Sequence, residues 1–307
     1  MASQLEAPEA EAVGQSRWAW PALALPGIVW LVLLFLTPFY AILAVAMGTR
    51  HPIFLSAEPE WNPLRWDPAP FVEVFADLFE GRLSVIGLRT FGYVALASLL
   101  CVLIGYPVAY FVSRRAGRWR GLLLVLLLAP FWINYLMRMM AWVNLLSPDG
   151  YVNRILGRFG GSPVDWLAGR PSTVILGMVY GYIPFFIIPL YAALDRIDKN
   201  TLEAARDLGA SPFSAFRRIT LPMSKQGVLA GLVIIMLPMF GDYYTPNLLS
   251  GSPRTRLIGN EIDTFVNQST SLGGQGAALT VVLMALVAVL MVYYLRSVAR
   301  SSREARR

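Results

Sequence analysis

The chain has 307 residues, of which 56% are hydrophobic and only 15% are charged, against roughly 25% charged residues in soluble domains. This composition excludes an ordinary soluble protein, because too few polar groups remain to cover its surface. The net charge of +7 does not indicate nucleic-acid binding, because the basic residues form short clusters between long apolar runs rather than one stripe.

Residues 1–20 are predicted to be a cytoplasmic tail, because Met1 to Gln15 is acidic and lacks the positive region of a signal peptide. Residues 21–299 form the predicted transmembrane domain, and residues 300–307 a basic cytoplasmic tail. The lone Cys101 and His51 cannot build a disulfide framework or a four-ligand zinc site, so no metal is expected.

Long charge-free runs fill the transmembrane domain. About 20 apolar residues in a helix cross the roughly 30 Å hydrocarbon core of a bilayer. Backbone groups in lipid must be hydrogen-bonded within the segment, which favours helices over strands. The sequence therefore predicts an all-α polytopic membrane protein with about six transmembrane helices, near residues 24–47, 86–112, 121–146, 171–194, 226–249 and 277–296.

The basic residues predict the orientation of these helices. With the N-terminus inside, 16 of them lie in inner segments and 9 in outer segments, and cytoplasmic loops carry the excess of Lys and Arg. Both termini are therefore predicted to be cytoplasmic, with 48–85, 145–170 and 250–276 outside. The segment 48–85 is predicted to carry a short interfacial helix.

The inner loop 195–222 has the local pattern of a helix, a turn and a second helix. Asn200 or Thr201 is predicted to cap the first helix, and Gly209 to end it in a left-handed conformation. Ser211 is predicted to cap the second helix, with Pro212 at its first position, and Pro222 to end it before the next span. A short amphipathic helix in this place either docks on a partner protein or lies on lipid, and composition leaves both alternatives open.

The spacing of the fixed residues in this loop resembles the EAA motif of ABC importer permeases. Glu203-Ala204-Ala205 is followed after three residues by Gly209, and after nine more by Ile219, Leu221 and Pro222. One difference is Gln226-Gly227, where many members have Pro-Gly. The resemblance implies the type I ABC importer transmembrane fold and a coupling helix that docks on an ATP-binding subunit. The residues implied in coupling are Glu203, Ala204, Ala205, Asp207, Gly209, Phe216, Ile219, Leu221 and Pro222.

Two further segments, Pro130 to Trp142 and Gly241 to Leu249, resemble those of spermidine/putrescine-type permeases. This resemblance implies a polyamine cargo, although related permeases move opines, phosphonates or ferric iron. It also implies a bacterial inner-membrane location and three partners: an ATP-binding subunit dimer, a second homologous permease in a heterodimer, and an extracytoplasmic solute-binding protein.

Arg138 and Asp242 are the two charges inside predicted spans, and the helical rise per residue predicts that both lie in the outer half at similar depth. One interpretation is a structural pair that holds the bundle together or reaches the outer interface. The alternative is a path for a cationic substrate, because ammonium groups bind carboxylates and aromatic faces. The candidate path residues are Trp132, Asn134, Arg138, Trp142, Asp242, Tyr243 and Tyr244.

The chain lacks the G-x-x-x-x-G-K-[ST] pattern of a P-loop, because Lys199 follows Asp198 and Lys225 follows Ser224. The chain is therefore not expected to be an enzyme or to hold a cofactor, and ATP with Mg²⁺ is expected in the partner subunit. An ion-coupled secondary transporter is the rival hypothesis, but neither a duplicated half nor several intramembrane carboxylates are evident. A membrane-embedded enzyme or assembly factor is a weaker rival.

Overall fold

Long apolar helices dominate the computed structural model, which describes residues 19–54, 56–268 and 271–304. Within these ranges two helical stretches, Gly117–Trp132 and Tyr135–Arg158, are bent by 90° against each other and are together named span 3. The other helices long enough to cross a membrane are span 1 (Leu23–Ala46), span 2 (Arg82–Arg114), span 4 (Pro171–Asp195), span 5 (Pro212–Phe240) and span 6 (Gly273–Ser297). The predicted all-α fold with about six spans is confirmed. Most of the N-terminal tail and residues 305–307 lie outside the described ranges.

Span 4 lies at the centre of the bundle, between span 2 and span 5. The buried ring of Phe186 fills the space between span 4 and both neighbouring helices, because it packs against one glycine of span 2 and one of span 5. A Cβ atom at Gly105 of span 2 would lie 2.8 Å from Phe186 Cδ1, and one at Gly231 of span 5 would lie 2.7 Å from Cδ2. Neither glycine can therefore carry a side chain without displacing this ring. Spans 2, 4 and 5 are named the three-span block.

Span 1 packs much less. Only 6% of the most apolar stretch of span 1 is buried in the bundle, whereas 61% of that of span 4 is buried. Its final residues, including Ala46, join a second core with span 6, the start of span 2 and the helix Ala69–Glu80. The preceding side chains, such as Trp30 and Phe35, are apolar and exposed. This surface suits lipid or another apolar chain.

The segment between span 1 and span 2 lies at the end of the bundle opposite the 195–222 loop, here named the far end. The predicted short helix is confirmed as Ala69–Glu80. The sequence did not predict the two short strands before it, Thr49–Arg50 and Ala57–Glu58, which pair antiparallel.

Two predicted spans are wrong in their course. Span 5 ends at Phe240 rather than near 249, and a short helix, Tyr244–Leu249, follows a break. Span 3 is interrupted because Ile133 takes an extended conformation after a 3₁₀ turn, Ala129–Trp132. The similar depths predicted for Arg138 and Asp242 required straight helices, so that argument fails.

Candidate functional site

The first half of the 195–222 loop is the helix Lys199–Asp207. Asp198 caps it, because its side chain accepts a hydrogen bond from Asn200 N at 3.1 Å; the prediction of Asn200 or Thr201 as the cap is wrong. Asp198 precedes the helix, where its backbone is extended, as a capping residue requires.

Gly209 ends this helix as predicted. Its φ of +83° is left-handed, and its N–H donates to the carbonyl of Arg206 at 2.8 Å. The next N–H, of Ala210, donates to the carbonyl of Ala205 at 3.0 Å. These two bonds form a Schellman motif, which satisfies the last carbonyls of the helix and reverses the chain.

The second half of the loop runs directly into span 5. Ser211 caps it by accepting from Ser214 N at 3.2 Å, with Pro212 in the first turn, both as predicted. The prediction that Pro222 ends this piece is wrong, because the helix continues to Phe240. A π-helical turn, Phe216–Thr220, precedes Pro222. This wider turn changes the register of the backbone bonds and thereby accommodates the proline ring.

The loop is fastened to the ends of spans 2 and 4 that lie opposite the far end. The Phe216 ring packs edge-on against Tyr106 and Tyr110 of span 2, with ring centroids 5.7 Å apart in each pair. Arg114 Nη2 donates to the carbonyls of Leu194 and Ile197 at 2.8 and 3.0 Å, just before the first loop helix. The loop therefore has fixed supports on the three-span block.

The predicted coupling residues differ in their exposure. Ala205, Phe216 and Ile219 are half-buried, and Phe216 faces the bundle. The others are exposed: Glu203, Ala204, Asp207, Gly209, Leu221 and Pro222. Leu208 and Phe213, which sequence reasoning missed, are 89% and 70% exposed on either side of Gly209. Two large apolar side chains are therefore exposed on this otherwise polar loop.

At the far end, the buried Asp242 lies in the break after span 5 and is named with its partners the Asp242 cluster. Its carboxylate accepts bonds from the backbone N and the hydroxyl of Thr245, the first at 3.0 Å. It also accepts from the hydroxyls of Tyr182 at 3.2 Å and Tyr135 at 3.4 Å. Asp242 thus ties span 4 and span 3 to the break.

Arg138 does not form the predicted direct pair with Asp242, since the described residues show no ion pair between them. Its buried guanidinium stacks on the ring of Phe131, with Cζ 4.0 Å from the centroid. The rings of Tyr135 and Tyr180 lie further away, at 5.4 and 6.0 Å. Tyr135 therefore links the two charged residues, with its ring near Arg138 and its hydroxyl on Asp242.

The other candidate path residues make separate contacts and do not form one group in the structure. Asn134 caps the helix Tyr135–Leu146 by accepting from Leu136 N at 2.8 Å. Trp132 is 81% exposed at the break of span 3, whereas Trp142 packs edge-on against Tyr180. The rings of Tyr243 and Tyr244 lie against each other, with centroids 4.0 Å apart.

Residues 101–302 match the family of the binding-protein-dependent transport system inner membrane component. The spermidine/putrescine transport system permease protein PotB of Haemophilus influenzae is 34% identical over 269 residues, which cover 86% of this chain and 89% of PotB. PotB of Escherichia coli K12 is also 34% identical, covering 87% of this chain and 94% of its own. A probable molybdenum ABC transporter permease of Haloferax volcanii is 32% identical but covers only 52% of this chain and 56% of its own.

Solved structures share the fold. One chain of a bacterial alginate ABC transporter, in complex with its alginate-bound periplasmic protein, superposes with a TM-score of 0.70 at 19% identity, covering 90% of this chain and 92% of that chain. A chain of the inward-facing MetNI methionine ABC transporter gives 0.50 at 17% identity, covering 69% of this chain and 93% of that chain. The architecture is therefore that of ABC transporter transmembrane subunits.

Proposed function

The chain belongs to the family of binding-protein-dependent transport system inner membrane components and is a permease subunit of an ABC importer, and we propose that its cargo is a linear polyamine such as spermidine or putrescine. The observation that carries this proposal is the 34% identity to two PotB proteins along 86% and 87% of the chain. The relative named for molybdenum matches over only about half of each chain, so it supports a different cargo less well.

ATP hydrolysis belongs to a separate subunit in this proposal, and the 195–222 loop docks on it. The exposed Leu208 and Phe213 offer an apolar contact, and the exposed Glu203 lies on the neighbouring helix as a polar contact. A second homologous permease completes the membrane unit. An extracytoplasmic solute-binding protein delivers the cargo at the far end.

Uptake by the complete transporter in proteoliposomes tests the cargo. We expect ATP-dependent accumulation of labelled spermidine or putrescine when the matching solute-binding protein is supplied. A panel of molybdate, ferric iron, a phosphonate and an opine should give no accumulation above the level without ATP. Accumulation of one of these solutes, with none of a polyamine, would contradict the proposal.

The orientation gives a second test. We propose that both termini and the 195–222 loop are cytoplasmic, because of the bias of 16 against 9 basic residues. The only native cysteine, Cys101, is fully buried, so it serves as an unreactive background. In intact cells a membrane-impermeant maleimide should label Ser252→Cys and leave Ser214→Cys unlabelled until the cells are opened. The reverse pattern would invert the topology.

A further inference from the structure

A large cavity opens at the far end, where Gly241 and Tyr243 line it on either side of Asp242, which is not among the lining residues. Its volume is about 820 Å³. Span 1 contributes Ala41, Ile42 and Val45 to its wall, and span 6 contributes Ala277 and Thr280. Among the described lining residues, Asp263 is the one charged side chain, and Tyr243 is the one aromatic side chain. The described part of the lining therefore combines small, mostly apolar side chains with one carboxylate and one aromatic ring.

Close backbone packing holds these two residues at the same wall. The helix Ile258–Asp263 lies directly against the break after span 5, since a Cβ atom on Gly259 would be 2.6 Å from the carbonyl oxygen of Gly241. Asn260 fastens this contact: its Nδ2 donates to the carbonyl of Tyr243 and to Asn247 Oδ1, both at 2.9 Å. Asp263 follows Asn260 by three residues and so lies on the same side of the helix.

The side chains of Asp263 and Tyr243 are also held in place. Asn267 Nδ2 donates to Asp263 Oδ1 at 2.9 Å, which orients the carboxylate. The Tyr243 ring lies against that of Tyr244, with centroids 4.0 Å apart. Binding a ligand here therefore requires little further ordering of either group.

A carboxylate beside an aromatic ring is chemistry for an ammonium group, through a charge-assisted hydrogen bond and a cation–π contact. The apolar walls suit the methylene segments between such groups. Asp242, the carboxylate that the sequence suggested for this role, already accepts bonds from three side chains. We propose that Asp263 and Tyr243 bind one ammonium end of the polyamine, with its methylene chain against spans 1 and 6. This inference rests on the proposed function.

Protection of a cysteine in the cavity tests binding directly. Thr280 lines the same wall of the cavity as Ala277, and replacing it does not alter Asp263. In the assembled transporter, we expect putrescine to slow maleimide labelling of Thr280→Cys at least about fivefold. The uncharged 1,4-butanediol, which has the same carbon chain, should not slow it. Adding Asp263→Asn should remove the protection. Equal protection by the diol, or protection that survives Asp263→Asn, would overturn the proposal.

Uptake by proteoliposomes tests the same site in transport. Loss of a charge-assisted hydrogen bond should make Asp263→Asn import polyamine about tenfold more slowly. Asp263→Glu and Tyr243→Phe should stay within about twofold of the wild type, because the carboxylate or the ring is retained. Asp149→Asn is the matched control, because Asp149 is an exposed carboxylate outside the cavity. Membrane abundance should be equal in all four variants, and stimulated ATPase activity should be unchanged in Asp149→Asn.

The outcomes separate this inference from the proposed function. Polyamine import by the wild type with equal import by Asp263→Asn would overturn the site and leave the cargo standing. The site and the cargo would both be contradicted if the wild type imports no polyamine and polyamine does not protect Thr280→Cys from labelling. A loss of folding in Asp263→Asn would show as reduced membrane abundance, and protection of Thr280→Cys with Asp263 intact then decides.

Discussion

Glu203→Lys and Gly209→Pro will each abolish ATP-driven uptake while the protein still inserts in the membrane. The proposed coupling helix, Lys199–Asp207, transmits nucleotide-dependent motion only if it docks firmly as a rigid element. Proline at position 209 cannot adopt the φ of +83° found there and removes the N–H that bonds to Arg206. Lysine at position 203 reverses the charge of an exposed acidic contact.

Conservative changes at the same positions are the controls. Gly209→Asn should retain most uptake, because asparagine tolerates the left-handed conformation. Glu203→Gln should lose less than Glu203→Lys, because it removes the charge without reversing it. Uptake and stimulated ATPase activity are measured in proteoliposomes, and abundance in membranes. Wild-type transport by both Glu203→Lys and Gly209→Pro would end the proposed coupling role.

Asp242→Ala will destabilise the bundle by about 3 kcal/mol or more, because it leaves several buried donors without an acceptor and each costs about 1–3 kcal/mol. These donors belong to Thr245, Tyr182 and Tyr135. Loss of their hydrogen bonds to Asp242 detaches spans 3 and 4 from the break after span 5. Thermal unfolding of the purified transporter in detergent, together with membrane abundance, measures the effect.

A graded series checks that the hydrogen bonds cause this loss. Asp242→Asn should cost less than Asp242→Ala, because one oxygen still accepts, and Tyr182→Phe should cost about 1 kcal/mol. Asp149→Asn, at an exposed site, should change nothing measurable. If Asp242→Asn unfolds like the wild type but imports polyamine more slowly, the residue serves the substrate instead. Normal stability with normal uptake would contradict both roles.

Periodicity and local chemistry predicted most of the architecture. Charge-free runs located the spans because the length of an apolar helix and the thickness of a bilayer are fixed quantities. Gly209, Ser211 and Pro212 were predicted correctly because capping depends on residues adjacent in sequence. The family resemblance was carried by spacing within one loop, from Glu203 to Pro222, and the comparisons confirm the family.

The failures concern properties that depend on distant residues. The sequence stays mostly apolar on both sides of Ile133 and on both sides of Asp242. Hydropathy alone therefore cannot show where spans 3 and 5 break. The direct pair of Arg138 with Asp242 failed because aromatic rings from spans 3 and 4 surround the guanidinium. Asp263 was overlooked because it precedes a Gln-, Ser- and Gly-rich stretch that is typical of a loop. The contact of Gly259 with Gly241 and the hydrogen bond of Asn260 to the Tyr243 carbonyl bring it to the wall that Tyr243 lines.

The packing of Phe186 between Gly105 and Gly231 also has a mechanical consequence. Helices that interlock through a ring seated against two bare backbones cannot slide past one another without first separating. Span 2 alone has 33 residues, so the three-span block is a stiff lever about 50 Å long. When the block tilts at the end where Arg114 and Phe216 contact the 195–222 loop, its opposite end moves sideways the furthest. That opposite end lies beside Asp242 and the cavity.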